Sequence, residues 1–235
     1  MSQEIVIDPR FRGPPHSANG GYACGIVGEK VDGVATATLR RPPPLDVPLS
    51  LEDDADHVRL MDGEDLVGEA VPDSLDIVVP AGPDFETAVA ASKRYAGFAT
   101  HPFPACFVCG PDREPGDGLR IFPGRLDGSA VVAAPWTPDE SLAGAWGGVV
   151  ERRHVWAALD CPSYFGLDET PMALLGRLTA RIDRMPEVRE RLVAIGWPMG
   201  VEGRKHFAGS ALLDPDGEEI AAAQATWIEI DRLPV

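Results

Sequence analysis

The sequence predicts an α+β protein of two related halves, each an antiparallel sheet wrapped around a central helix. Three observations predict it. Short patterns of period two dominate the chain, as half-buried strands require. Two glycine pairs, Gly20-Gly21 and Gly147-Gly148, each open a run of small and apolar residues. Each half then closes on an Asp-Gly hairpin turn, Asp62-Gly63 in the first and Asp216-Gly217 in the second.

Glu4 to Asp8 reads as a short strand. The proline- and glycine-rich loop from Phe11 to Asn19 follows. Asn19 is a plausible N-cap for a buried helix running to about Lys30, whose small residues let a sheet wrap it closely. Val34 to Leu39 returns to period two, and Pro42-Pro43-Pro44 ends that strand. Asp46 to Leu51, Asp56 to Met61 and Asp65 to Val71 are three further strands. Pro83 suits the first turn of a second helix, Asp84 to Gly97. His101 to Gly118, rich in Pro, Gly and Cys, reads as the connection between halves.

Strands begin again at Leu119 to Phe122 and Ser129 to Ala134. Trp146-Gly147-Gly148-Val149-Val150 opens a third helix to about Asp160, which Cys161-Pro162 stops. Met172 to Asp183, Arg191 to Trp197, Lys205 to Leu213 and Glu219 to Ile230 complete the strands. The ordered match of strand, Gly-Gly helix, strands and Asp-Gly hairpin predicts a diverged duplication. The expected division is 1–100, a connection over 101–118, and 119–235.

A chain of 235 residues with 44% hydrophobic and 25% charged residues can bury a sizeable core. Its net charge of -16 repels phosphate backbones and excludes nucleic acid as a partner. The densest acidic run, Glu52-Asp53-Asp54-Ala55-Asp56, lacks the spacing of a calcium loop and reads as solvated. No apolar run reaches membrane-crossing length, so no membrane partner is expected. Met1-Ser2-Gln3-Glu4 does not read as a signal peptide. Cys24, Cys106, Cys109 and Cys161 are too scattered for a disulfide framework, and the expected location is cytoplasmic.

Cys106-x-x-Cys109-Gly looks like half a zinc knuckle. Tetrahedral zinc wants four ligands; His101 offers a third, and Cys24 or Cys161 a distant fourth. A redox pair is the other chemical use. Plain packing in the connection is the stronger expectation, with no metal. Arg177, Arg181, Arg184 and Arg204-Lys205 read either as a patch for phosphates or as ordinary solubilising alternation.

The stretch Ser17-Ala18-Asn19-Gly20-Gly21-Tyr22 resembles the helix entrance of acyl-CoA thioesterase-like hotdog proteins. Two such units in one chain resemble the double-hotdog thioesterases. The stretch His101-Pro102-Phe103-Pro104 through Cys106-Phe107-Val108-Cys109-Gly110 to Gly118-Leu119-Arg120-Ile121 is similar to a group of actinobacterial proteins of this type. The resemblance implies hydrolysis of an acyl-CoA or related thioester, with no dissociable cofactor. Backbone N–H groups at Gly20-Gly21 or Gly147-Gly148 would polarise the thioester carbonyl, helped by the helix dipole.

The family's acid, nine positions after the first glycine, falls on Glu29 in the first half and on Trp156 in the second. Asp160 lies one turn beyond Trp156, and His154 half a turn before it. The expected catalytic residues are Glu29, Asp160 and Asn19, with Gly20, Gly21, Gly147, Gly148 and His154 binding substrate. Their bland readings are a helix cap for Asn19, a surface acid for Glu29, a helix-end acid for Asp160 and a solvated face for His154. Gln224 matches a strand glutamine of some double-hotdog thioesterases in type, with its register open. A non-catalytic acyl- or CoA-binding protein and a hydratase or dehydratase are the alternative functions. Hotdog units pair through their sheets, so the resemblance also implies a homodimer.

Overall fold

The computed structural model describes residues 2–54, 56–145 and 147–232. Asn19 ends the first loop in extended backbone, and its side chain accepts a hydrogen bond from Tyr22 N–H. That cap starts helix α1, Gly20–Gly28, in which every residue from Gly21 onward is buried. A helix apolar on all sides needs cover on all sides, and a sheet supplies it here.

The strands are β1 (Ser2–Val6), β2 (Ala35–Leu39), β3 (Pro48–Asp54), β4 (His57–Asp62), β5 (Asp65–Pro72), β6 (Gly124–Arg125), β7 (Val132–Trp136), β8 (Ala173–Ile182), β9 (Leu192–Glu202), β10 (Lys205–Leu213) and β11 (Glu219–Glu229). They form one antiparallel sheet in the order β1-β3-β4-β5-β2-β8-β11-β10-β9-β7-β6. Its seam is β2 against β8, from Ala35↔Ala180 to Thr38↔Arg177. The Thr36 and Thr179 hydroxyls meet across it at 2.6 Å. Outward from the seam the two sides run alike: β2, β5, β4, β3, β1 on one and β8, β11, β10, β9, β7 on the other.

Helix α3, Arg152–Phe165, packs against α1 under the sheet. The pair runs antiparallel, because Gly21 meets Ala157 and Asp160 while Gly25 meets Arg153. Glycine is required on this face. A Cβ at Gly21 would lie 2.4 Å from Asp160 Cβ, and one at Gly25 would lie 2.7 Å from Arg153 Cα.

Three expectations, on two elements, are corrected. Helix α3 does not open at the second glycine pair. Gly147 and Gly148 are exposed, with φ of 68° and 76°, a left-handed turn that breaks a helix. Nor does Cys161-Pro162 end α3, which continues through Pro162 to Phe165. Hydroxyls serve the carbonyls around the proline: Ser163 bonds Asp160 O and Ser210 bonds Leu159 O, both at 2.6 Å. The expected strand Leu119 to Phe122 is irregular and bonds to the connection instead, through Leu119 N–H to Phe107 O and Ile121 N–H to Val108 O.

Helix α2, Phe85–Ser92, packs against β6, β7 and β9. With Leu75, Ile77 and Val79 it covers a second apolar cluster around Val193, Ile195, Trp197 and Leu213. Residues 75–92 therefore cover one face of β7 and β9.

Candidate active site

An apolar cavity of about 260 Å³ opens beside the start of α1. Asn19, Gly20, Asp160, Tyr164, Leu175 and Trp227 are on its wall. The aromatic side of that wall is held in place by polar tips. Tyr164 Oη donates to Pro171 O at 2.7 Å, and Trp227 Nε1 donates to Ser163 Oγ at 2.9 Å.

Asp160 is the only acidic residue on this wall among the described residues. Helix α3 carries it to the N-terminal end of α1. Its Oδ2 accepts from Asn19 Nδ2 at 2.6 Å and from Gly21 N–H at 2.9 Å. Its Oδ1 is buried and has no hydrogen-bond partner among the described residues. Burial pushes this carboxyl up to about 7; the Gly21 amide and Asn19 pull the other way, and Cys106 adds to the rise.

The other first-turn amides of α1 are largely spoken for. Tyr22 N–H goes to the Asn19 side chain and Ala23 N–H to Asn19 O. Gly20 N–H is left without a protein partner among the described residues. The helix end thus holds one carboxylate through one amide and has another amide spare.

The opposite end of the helix pair is chemically different. Glu29 sits at the C-cap of α1, off the cavity wall, and pairs with Arg153 at 2.8 Å. Burial raises its carboxyl above the usual range against the pull of Arg153 and Lys30. Phe11, Tyr22, Phe107 and His154 pack as rings in the same region, with Phe11 and Tyr22 stacked at 4.1 Å. An ion pair and four rings fill this region, where no cavity lies among the described residues. Neutralising Glu29 leaves the half-buried Arg153 guanidinium with Glu151 alone, and the lost pair outweighs the relief of the buried carboxylate by about 1 kcal/mol. Chemical denaturation of Glu29→Gln checks this, and an unchanged midpoint would show the pair to be idle.

His154 is buried in that ring cluster, not on the cavity wall. Its Nε2 is 3.8 Å from Glu151, while Arg153 and Arg10 contribute opposing positive charge. Burial first, then those arginines, pushes its imidazole down to about 4. The unfolded chain binds the proton near pH 6.5 and the folded chain near 4, so this residue's contribution falls as pH drops through that window. Between pH 7 and 4 the stability gap between wild type and His154→Gln should shift by roughly 3 kcal/mol against wild type. Parallel stability curves for the two proteins would contradict it.

Gly147 and Gly148 lie in an exposed turn, where Gly148 O accepts from Val188 N–H, away from the cavity wall. Gln224 pairs with Thr179 and Gly209 within the sheet, also off that wall. The arginine stripe is largely neutralised: Arg181 binds Asp183 and Glu219, and Arg184 binds Glu190 and Asp214. Sequence reasoning missed Tyr164 and Trp227 as cavity residues. Their aromatic type was the available signal, and only the strand and helix crossing assigns them a wall.

No protein-family profile matches the sequence, and no curated protein matches it. Solved structures do. One is a conserved protein with the hotdog fold from Alicyclobacillus acidocaldarius, with TM-score 0.62 and 12% identity over 100% of this chain and 94% of that one. Another, described as a candidate thioesterase II from Thermobifida fusca YX, gives TM-score 0.63 and 14% identity over 98% of this chain and 94% of that one. A tesB protein from Mycobacterium avium subs paratuberculosis gives TM-score 0.61 and 11% identity over 97% and 92%. At such identities the likeness speaks for fold. Along essentially its whole length, this chain has the hotdog fold.

Proposed function

We propose that the chain is a thioesterase-like hydrolase of an acyl-CoA or related thioester, with one working site. We take it to be two tandem hotdog units, 1–100 and 119–235, joined by 101–118. The matching strand order on either side of the seam supports the tandem reading. The observation that carries the activity is a buried carboxylate with one unbonded oxygen, on an apolar cavity wall at a helix N-terminus.

In this reading the acyl chain lies in the cavity and the thioester carbonyl accepts from Gly20 N–H. Asp160 Oδ1 takes a proton from water as the water oxygen adds to the carbonyl carbon. The spare helix amide stabilises the oxyanion. When the C–S bond breaks, the thiolate leaves and the proton returns to it. Asn19 has a positioning role, holding Asp160 Oδ2 while capping α1. Arg40 and Arg41, on the cavity wall and paired with Glu69 and Asp65, exchange those acids for the phosphates of the substrate. A reducing cytoplasm and a homodimer built through the sheets complete the proposal.

Free-thiol release from acyl-CoAs of graded chain length tests it. Turnover of at least one chain length is expected, and release from none would contradict hydrolysis. A second reading, a non-catalytic acyl- or CoA-binding protein, is favoured by one contact. Gly21 N–H already serves Asp160, so only one first-turn amide remains for a substrate. Tight acyl-CoA binding by calorimetry without release would select it.

A further inference from the structure

Cys106, Cys109 and Cys161 are buried, and their sulfurs all lie within 4.8 Å of one another. The connection and α3 meet at this point. Cys106 and Cys109 sit on a tight turn, in which Gly110 N–H donates to Cys106 O at 2.9 Å. A Cβ on Gly110 would lie 2.5 Å from both the backbone nitrogen and the oxygen of Cys106, so the turn demands glycine.

Cys161 reaches in from α3, with its sulfur 3.9 Å from that of Cys106. Tetrahedral zinc, with Zn–S bonds near 2.3 Å, sets its thiolates about 3.8 Å apart. A disulfide would require about 2 Å. Three thiols packed together satisfy one another poorly as hydrogen-bonding groups, whereas a soft divalent cation uses all three. Cys24, the other cysteine, lies outside the group.

We propose that Cys106, Cys109 and Cys161 form a three-thiolate site for Zn²⁺ whose fourth position opens on the cavity. All three residues, and His101, line that cavity. His101 does not complete the set. Its Nδ1 accepts from Phe103 N–H at 2.9 Å, so a neutral ring carries its proton on Nε2. That Nε2 is 3.3 Å from Cys109 Sγ and donates to it. The histidine therefore supports a thiolate rather than offering a lone pair. Zinc binding releases the thiol protons to solvent and pins the connection to α3. The site requires no hydrolytic activity.

The test is reduced, metal-stripped full-length protein dialysed against Zn²⁺ or Co²⁺. One equivalent of zinc per chain by mass spectrometry is expected. The cobalt form should show near-ultraviolet thiolate charge-transfer bands and the strong visible bands of tetrahedral coordination. Ser at 106, 109 or 161 should each weaken zinc binding at least tenfold, while Cys24→Ser retains it. His101→Gln should keep the metal with affinity lowered about tenfold. If a serine variant fails to fold, the wild-type cobalt spectrum still decides. Wild type that binds no zinc, or that instead forms a disulfide among these cysteines, would overturn the site. Complete loss of metal in folded His101→Gln would overturn the open fourth position.

Discussion

Replacing Asp160 with Asn is expected to cut thiol release from the preferred acyl-CoA by about 10²–10⁴-fold, the usual worth of a positioned general base. The substitution keeps the side chain's volume at a fully buried position, so packing is spared. An amide oxygen can still accept from Gly21 N–H and Asn19 where Asp160 Oδ2 does now. The amide nitrogen then falls where Oδ1 stands unpartnered, and it cannot take a proton from water. Binding of acyl-CoA should persist, so the loss belongs in kcat. Glu29→Gln is the matched control, being neutralised at the other end of the helix pair. Its turnover should stay near wild type despite its lower stability. A collapse in Glu29→Gln with Asp160→Asn active would assign the chemistry to the wrong end of α1.

Gly25→Val should be the most damaging single change to stability, at more than about 3 kcal/mol. The first added carbon would sit 2.7 Å from Arg153 Cα and 2.9 Å from Arg153 O. Both are backbone atoms of α3, which cannot swing aside as a side-chain tip can. Relief requires α1 and α3 to separate, and both are clamped beneath the sheet. Removing a helical glycine returns only about 1 kcal/mol of propensity, too little to offset the clash. Urea denaturation measures the loss. A midpoint equal to or above wild type would show that the helices do not cross where Gly25 meets Arg153.

Much of this architecture could be read from local chemistry. Asn19 announced α1 because a short side-chain acceptor before small residues is a cap. Gly63 and Gly217, with φ of 59° and 83°, occupy the left-handed turn positions that their Asp-Gly context promised. Strands β2 to β5 and β8 to β11 follow from period two. The start of α3 was not legible, because Glu151 makes no side-chain cap there while the glycine pair upstream mimics the first half. Counting from Gly147 set the acid position at Trp156; counting from Arg152, the true first residue, brings it next to Asp160. Pro162 hid the last turn, since only Ser163 and the distant Ser210 show how the local carbonyls are served. The meeting of Asp160 with Gly21, and of Cys161 with Cys106 and Cys109, depends on an antiparallel helix crossing that no local pattern encodes.

The most direct test of a single working site is a structure with a thioether analogue of acyl-CoA, which binds but cannot be hydrolysed. The account predicts the acyl chain in the cavity between Leu175, Tyr164 and Trp227, with the methylene that replaces the thioester carbonyl in contact with Gly20 N and the Asp160 carboxyl. An analogue bound instead beside Glu29 and Arg153, or at the Gly147-Gly148 turn, would contradict it.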